Sequence, residues 1–108
     1  MLREQVAIQP ALCPKVEHAF EILGKKWTGL ILRHLLTKTC RFNEIQDAIP
    51  ELSGRMLTER MKELEAEGSV IRTGIPDRPI KIQYSLTDKG RQLEPVIRSI
   101  EEWAELQD

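Results

Sequence analysis

At Gly68 the spacing of apolar residues changes period, and this change restricts the possible folds more than any other feature of the chain. Upstream, Leu57, Met61 and Leu64 recur at helical intervals behind Ser53, a residue type that caps helix N-termini. Gly68 stands where such a helix commonly ends. Downstream, Ser69 to Thr73 and Lys81 to Leu86 alternate, with Ile80, Ile82 and Tyr84 set against Lys81, Gln83 and Ser85. The intervening Gly74-Ile75-Pro76-Asp77-Arg78-Pro79 is rich in turn formers, so the two runs read as a β-hairpin.

Three helical runs precede this unit. Pro14 suits a first helical turn, followed by Val16, Ala19, Phe20 and Leu23 and closed by Gly24. Trp27, Leu30, Ile31, Leu35 and Leu36 form the second, and Phe42, Ile45, Ala48 and Ile49 a short third, stopped by Pro50. Thr87 caps a last helical region that breaks near Glu94, with a terminal helix from about Pro95. Helices, a capped helix, a hairpin and a closing helix make a mainly α fold with a small β-hairpin (α+β). The order is that of a winged helix-turn-helix. Residues 1–13 read as a flexible N-terminal arm, and residues 14–108 as a single domain that includes a terminal dimerisation helix at about 88–106.

The chain of 108 residues has the length of one domain. Its longest apolar stretch falls far short of the roughly 20 residues that a membrane span needs. The first ten residues contain no apolar signal core, so a cytoplasmic protein is expected. Net charge is −1, but the charge is unevenly distributed. Residues 53–62 set Arg55, Arg60 and Lys62 against Glu59, a balance of +2. Residues 72–91 set Arg72, Arg78, Lys81, Lys89 and Arg91 against Asp77 and Asp88, a balance of +3, whereas the tail from Glu94 is acidic. The hairpin side suits phosphate and the tail does not.

A helix that enters the major groove needs one side anchored and one side free for base edges. With Leu57 at the centre of the buried side, helical geometry puts Arg55, Thr58, Glu59 and Lys62 on the opposite half. Ser53 and Gly54 lie at the positive N-terminal tip, where a phosphate is favoured. Arg55 is the first choice for a bidentate guanine contact and Thr58 for a thymine methyl. Glu59 suits a cytosine or an orienting role. In the wing, Arg78 between two prolines and Lys81 suit the backbone or the minor groove. Lys25, Lys26 and Arg41 rank below these. An ordinary solvated helix face is the competing reading for the same charges. Leu93, Val96, Ile97, Ile100, Trp103 and Ala104 line one side of the terminal helix, more than a peripheral helix needs. Ile97, Ile100, Trp103 and Ala104 are the expected core of a dimer interface.

Several strings carry a family resemblance. Cys13-Pro14, Gly24-Lys25-Lys26-Trp27-Thr28 and Arg41-Phe42-Asn43-Glu44-Ile45 resemble the first half of HxlR-type regulators. Ser53 to Glu65 resembles their turn and recognition helix, and Tyr84-Ser85-Leu86-Thr87-Asp88-Lys89-Gly90 is similar to their strand-to-helix junction. The likeness runs from Cys13 to about Trp103. It implies a dimeric transcription factor whose N- and C-terminal helices form the interface, acting on a pseudo-palindromic operator in double-stranded DNA, with repression the default. It also implies that Cys13, which occupies the family's sensing position, responds to electrophiles or oxidants. The single Gly24 before Lys25, where the family usually has two glycines, and the extra Cys40 depart from the pattern. A packed, unreactive cysteine is the competing reading of both thiols.

A winged-helix module that binds protein without reading DNA sequence is the alternative function. No nucleophile elbow, phosphate loop or paired catalytic carboxylates suggest an enzyme, and no cofactor is expected. Cys13, His18, His34 and Cys40 lack zinc-ligand spacing, so no metal is expected.

Overall fold

A computed structural model describes residues 13–107, so the expected N-terminal arm lies outside the described residues except for Cys13. Six helices and three short strands follow in order: α1 (Pro14–Leu23), α2 (Thr28–Thr37), β1 (Cys40–Arg41), α3 (Phe42–Ala48), α4 (Gly54–Glu67), β2 (Val70–Ile75), β3 (Lys81–Leu86), α5 (Asp88–Arg91) and α6 (Glu94–Glu105). The strands form an antiparallel sheet in the order β1-β3-β2, with Val70 opposite Leu86 and Ile75 opposite Lys81.

Local chemistry explains most boundaries. Ser53 Oγ accepts the Met56 N–H at 3.1 Å and starts α4; Gly68, left-handed at φ 91°, ends it. Thr87 caps α5 through the Gly90 N–H at 3.1 Å, and Pro95 lies in the first turn of α6. The core joins Ile31, Leu32 and Leu35 of α2 to Ile45 of α3, Leu57, Met61 and Leu64 of α4, and Val70, Tyr84 and Leu86 of the sheet.

Three features depart from the sequence-based expectation. β1 is a strand of two residues that owes its existence to pairing of Cys40 with Tyr84 and Arg41 with Gln83. Two residues carry no alternation to be read. Trp27 does not begin α2 but precedes it with a left-handed φ of 81°, which lets the α1–α2 corner turn while its indole packs on the core edge. Leu30, expected on the buried side of α2, is half exposed.

Helix α1 contains no buried residue, and Val16 and Phe20 on it are open to solvent. A ten-residue helix in water is marginal without packing, so α1 draws little stability from its own domain. The fold measures 58 × 33 × 23 Å with a radius of gyration of 16.2 Å, against about 13 Å for a compact chain of this length.

The α4 end and α5 meet closely through both backbone and side-chain hydrogen bonds. Thr87 donates its hydroxyl to the Gly68 carbonyl at 2.6 Å and its N–H to Ser69 O at 3.0 Å. Lys89 Nζ reaches Glu67 O and its carboxylate, both at 2.6 Å. A Cβ on Gly90 would sit 2.1 Å from Ser69 O, a distance no side chain tolerates. Gly90→Ala should therefore destabilise the protein by about 3 kcal/mol, lowering the thermal midpoint by roughly 10 °C or more at fixed protein concentration in a calorimetric scan.

Candidate nucleic-acid interface

The side of α4 opposite Leu57, Met61 and Leu64 carries Arg55, Thr58, Glu59 and Lys62, all exposed. Among the described residues none of Arg55, Glu59 and Lys62 forms an ion pair, so Glu59 orients neither neighbour here. The Thr58 hydroxyl donates back to Gly54 O at 2.8 Å, which gives its proton a partner within the helix. Ser53 uses its oxygen on Met56, while the first-turn amides of Gly54 and Arg55 have no intrahelical acceptor.

Gly54 has a second reason to be glycine. A Cβ there would lie 3.0 Å from Gln46 Nε2 and 4.0 Å from Phe42 Cε2, so its small size lets α3 close against α4. Helix α3 is fixed in turn by the Glu44 carboxylate accepting the Arg41 N–H at 2.7 Å, a bond that holds the Glu44 carboxyl below its ordinary range. Arg60, counted in the sequence as part of the local positive charge, turns away from the free side. Its Nε donates to Lys26 O at 2.9 Å and its Nη1 meets Glu63 at 3.2 Å.

At the wing tip Arg78 is exposed, and its N–H is held by the Asp77 carboxylate at 2.7 Å. Lys81 Nζ pairs with the same carboxylate at 3.2 Å. Both side chains of that pair are about half exposed, so water weakens it and Lys81 keeps part of its reach. Arg72 on β2 is an additional exposed cation of the wing, without an ion pair among the described residues. It lies on the strand expected from the sequence, in register opposite Tyr84.

At the other end of the molecule the four expected interface residues divide. Ile97 is buried by its own domain, whereas Ile100 and Trp103 are 53% and 64% exposed and Ala104 is open. Val96 and Leu106 extend this apolar surface, and α6 is held to α2 by an Arg33–Glu101 ion pair. The thiols differ sharply. Cys13 is exposed at the N-cap of α1, its carbonyl accepting the N–H groups of Val16 and Glu17 at 2.9 and 3.0 Å. Cys40 is fully buried, with Sγ 3.4 Å from Lys38 O; burial, and then the Glu44 carboxylate, push its thiol up, against a smaller pull from Lys38. Among the described residues no three metal-binding side chains cluster, and no helix is long and apolar enough to cross a membrane.

The HxlR-like helix-turn-helix family model matches residues 22–107. The HTH-type transcriptional regulator YvaP of Bacillus subtilis is 52% identical over 96 residues, covering 89% of this chain and 89% of that protein. The reduced form of the B. subtilis transcriptional regulator YodB superposes with a TM-score of 0.80 at 45% identity, covering 88% of this chain and 93% of that one. YodB also matches in its diamide-treated and quinone-bound structures. The redox regulator HypR in its oxidized form superposes with a TM-score of 0.82 at 41% identity, covering 89% and 98%.

Raising the Cys40 pKa means that the folded state holds its proton more tightly than the unfolded chain. Stability from this thiol is complete below the ordinary thiol range and is lost as pH rises through and above it. Brief native-state alkylation at neutral pH should accordingly add one adduct, on Cys13, with the second appearing only after denaturation, as read by intact mass and peptide mapping.

Proposed function

The chain belongs to the HxlR-like helix-turn-helix family, and from that premise we propose how this DNA-binding transcriptional regulator reads its operator and what releases it. The carrying observation is the exposed side of α4, whose Arg55, Glu59 and Lys62 form no ion pair among the described residues, above a fully buried stripe. In the major groove, Arg55 takes a guanine through two parallel hydrogen bonds, Thr58 lays its methyl on a thymine, and Glu59 and Lys62 contact a cytosine edge and a phosphate. The Ser53-Gly54 tip receives a phosphate on the free amides of α4. Arg78, with Lys81 and Arg72 behind it, lies along the backbone or in the minor groove.

The protein works as a homodimer. The solvent-facing apolar residues of α1 and α6, the lack of any buried residue in α1 and the elongated shape all support assembly with a second copy. Ile100, Trp103 and Ala104 face the partner subunit while Ile97 anchors α6 to its own domain. A two-fold pair sets two recognition helices about 34 Å apart on a pseudo-palindromic operator, and occupancy represses by occluding the promoter. The exposed Cys13 thiol reacts stoichiometrically with small electrophiles or oxidants, without turnover, and its modification weakens the complex. YodB treated with diamide or binding quinone, and oxidized HypR, support this chemistry by likeness. The site of action is the cytoplasm, where the DNA is.

Selection from a random-sequence duplex library followed by fluorescence anisotropy tests the reading. A recovered palindrome bound by wild type, with Arg55→Ala costing about 1–3 kcal/mol and relaxing preference at one base pair, is the expected outcome. Lys62→Ala should instead weaken binding to all sequences and reduce the salt slope by about 1. Recovery of no defined sequence would leave a protein-binding module in its place. In sedimentation, Ile100→Glu should shift the dimer to monomer at concentrations where wild type stays paired.

A further inference from the structure

Helix α1 is tied to the recognition helix at one corner. Between Gly24 and α2 the chain passes through Trp27 in a left-handed conformation uncommon for a bulky residue, with the Lys26 ammonium 4.9 Å above its ring. Two contacts cross from this corner to the middle of α4. Arg60 Nε donates to Lys26 O at 2.9 Å, and Lys25 Nζ donates to Glu63 Oε2 at 2.9 Å. Arg60 Nη1 closes the set on both Glu63 oxygens, at 3.2 and 3.3 Å, and its side chain is only 14% exposed. Elsewhere α1 stands off the body. Clefts of about 650 and 770 Å³ flank it, and His18 and Ile22 line both.

We propose that Arg60 and Glu63 are positioning residues that couple the orientation of α1 to that of α4, so that a change at Cys13 reaches the DNA-reading side chains through this corner. The proposal rests on the reading of α4 and Cys13 given above. Cys13 caps one end of α1, about 15 Å long and stiffened by the partner subunit in the dimer proposed above, and the corner is its other end. A displacement of the Cys13 end therefore acts on Lys25 and Lys26 as a lever. Arg60 and Glu63 lie on the flank of the helix that carries Glu59 and Lys62, and a helix moves as a body. A corner shift thus re-aims the free side without touching it. Neither residue is among those placed against DNA.

Glu63→Gln removes the ion pair with Lys25, and Arg60→Lys keeps the charge but not the two-branched reach. Both are made in the full chain, and the probe is the duplex recovered by random-sequence selection. The first readout is the ratio of duplex affinities before and after diamide. Each variant should reduce that ratio at least about fivefold relative to wild type, with reduced-form affinity within about threefold of wild type. The second readout is amide hydrogen exchange in residues 14–23, which duplex binding should slow in wild type and not in either variant. Unchanged ratios and unchanged exchange in both variants overturn the proposal. So does absence of wild-type protection, or a lowered thermal midpoint with both readouts preserved, which assigns the pair a purely structural role. A wild type indifferent to diamide removes the Cys13 reading alone, and the exchange measurement then decides the coupling.

Discussion

Leu57, Met61 and Leu64 hold α4 against α2 and α3, and the rest of the molecule is arranged around that anchorage. Each such side chain gains about 1.5–3 kcal/mol on leaving water. Together they match a sizeable part of the roughly 5–15 kcal/mol by which a domain is stable at all. A helix held this firmly does not loosen to bind, so its polar side is presented to a ligand already formed. Gly54 and Gln46 meet it on one flank and the Lys25–Arg60–Glu63 set on the other, without competing for the side that faces outward.

The two cysteines show how position governs the chemistry of one functional group. Cys40 lies inside the core, beside the carboxylate that caps α3, and both surroundings oppose a thiolate. Cys13 stands in solvent at the head of a helix with no buried residue. The first is a small apolar filler in the strand that pairs with Tyr84; the second is open to solvent.

Much of this was legible in the residues. The change of period at Gly68, the Ser53 and Thr87 caps and Pro95 located α4, the hairpin and the break before α6, because each acts within a few residues of itself. The free side of α4 followed from the same periodicity, and Arg55, Thr58, Glu59 and Lys62 do share one exposed face. What escaped depends on contacts remote in sequence. β1 exists through β3, more than forty positions on. Arg60 reads as one more surface cation until Lys26 O and Glu63 are seen around it. Trp27 has helical neighbours on both sides, and its left-handed φ is a property of the corner. Ile97 belongs to the apolar stripe of α6 by spacing, and only packing separates it from Ile100 and Trp103.

The close approach of Gly90 to Ser69 O, beside the Thr87 and Lys89 side chains bonded to the Gly68 and Glu67 carbonyls, joins the end of α4 to the segment that carries α6. A Cβ at Gly90 would force those two parts apart. In the two-fold pair proposed above, this junction ties the span between the two α4 helices to the packing of α6. On the reading proposed above, the free side of α4 carries the choice of bases, and the junction at Gly90 carries the gap between half-sites.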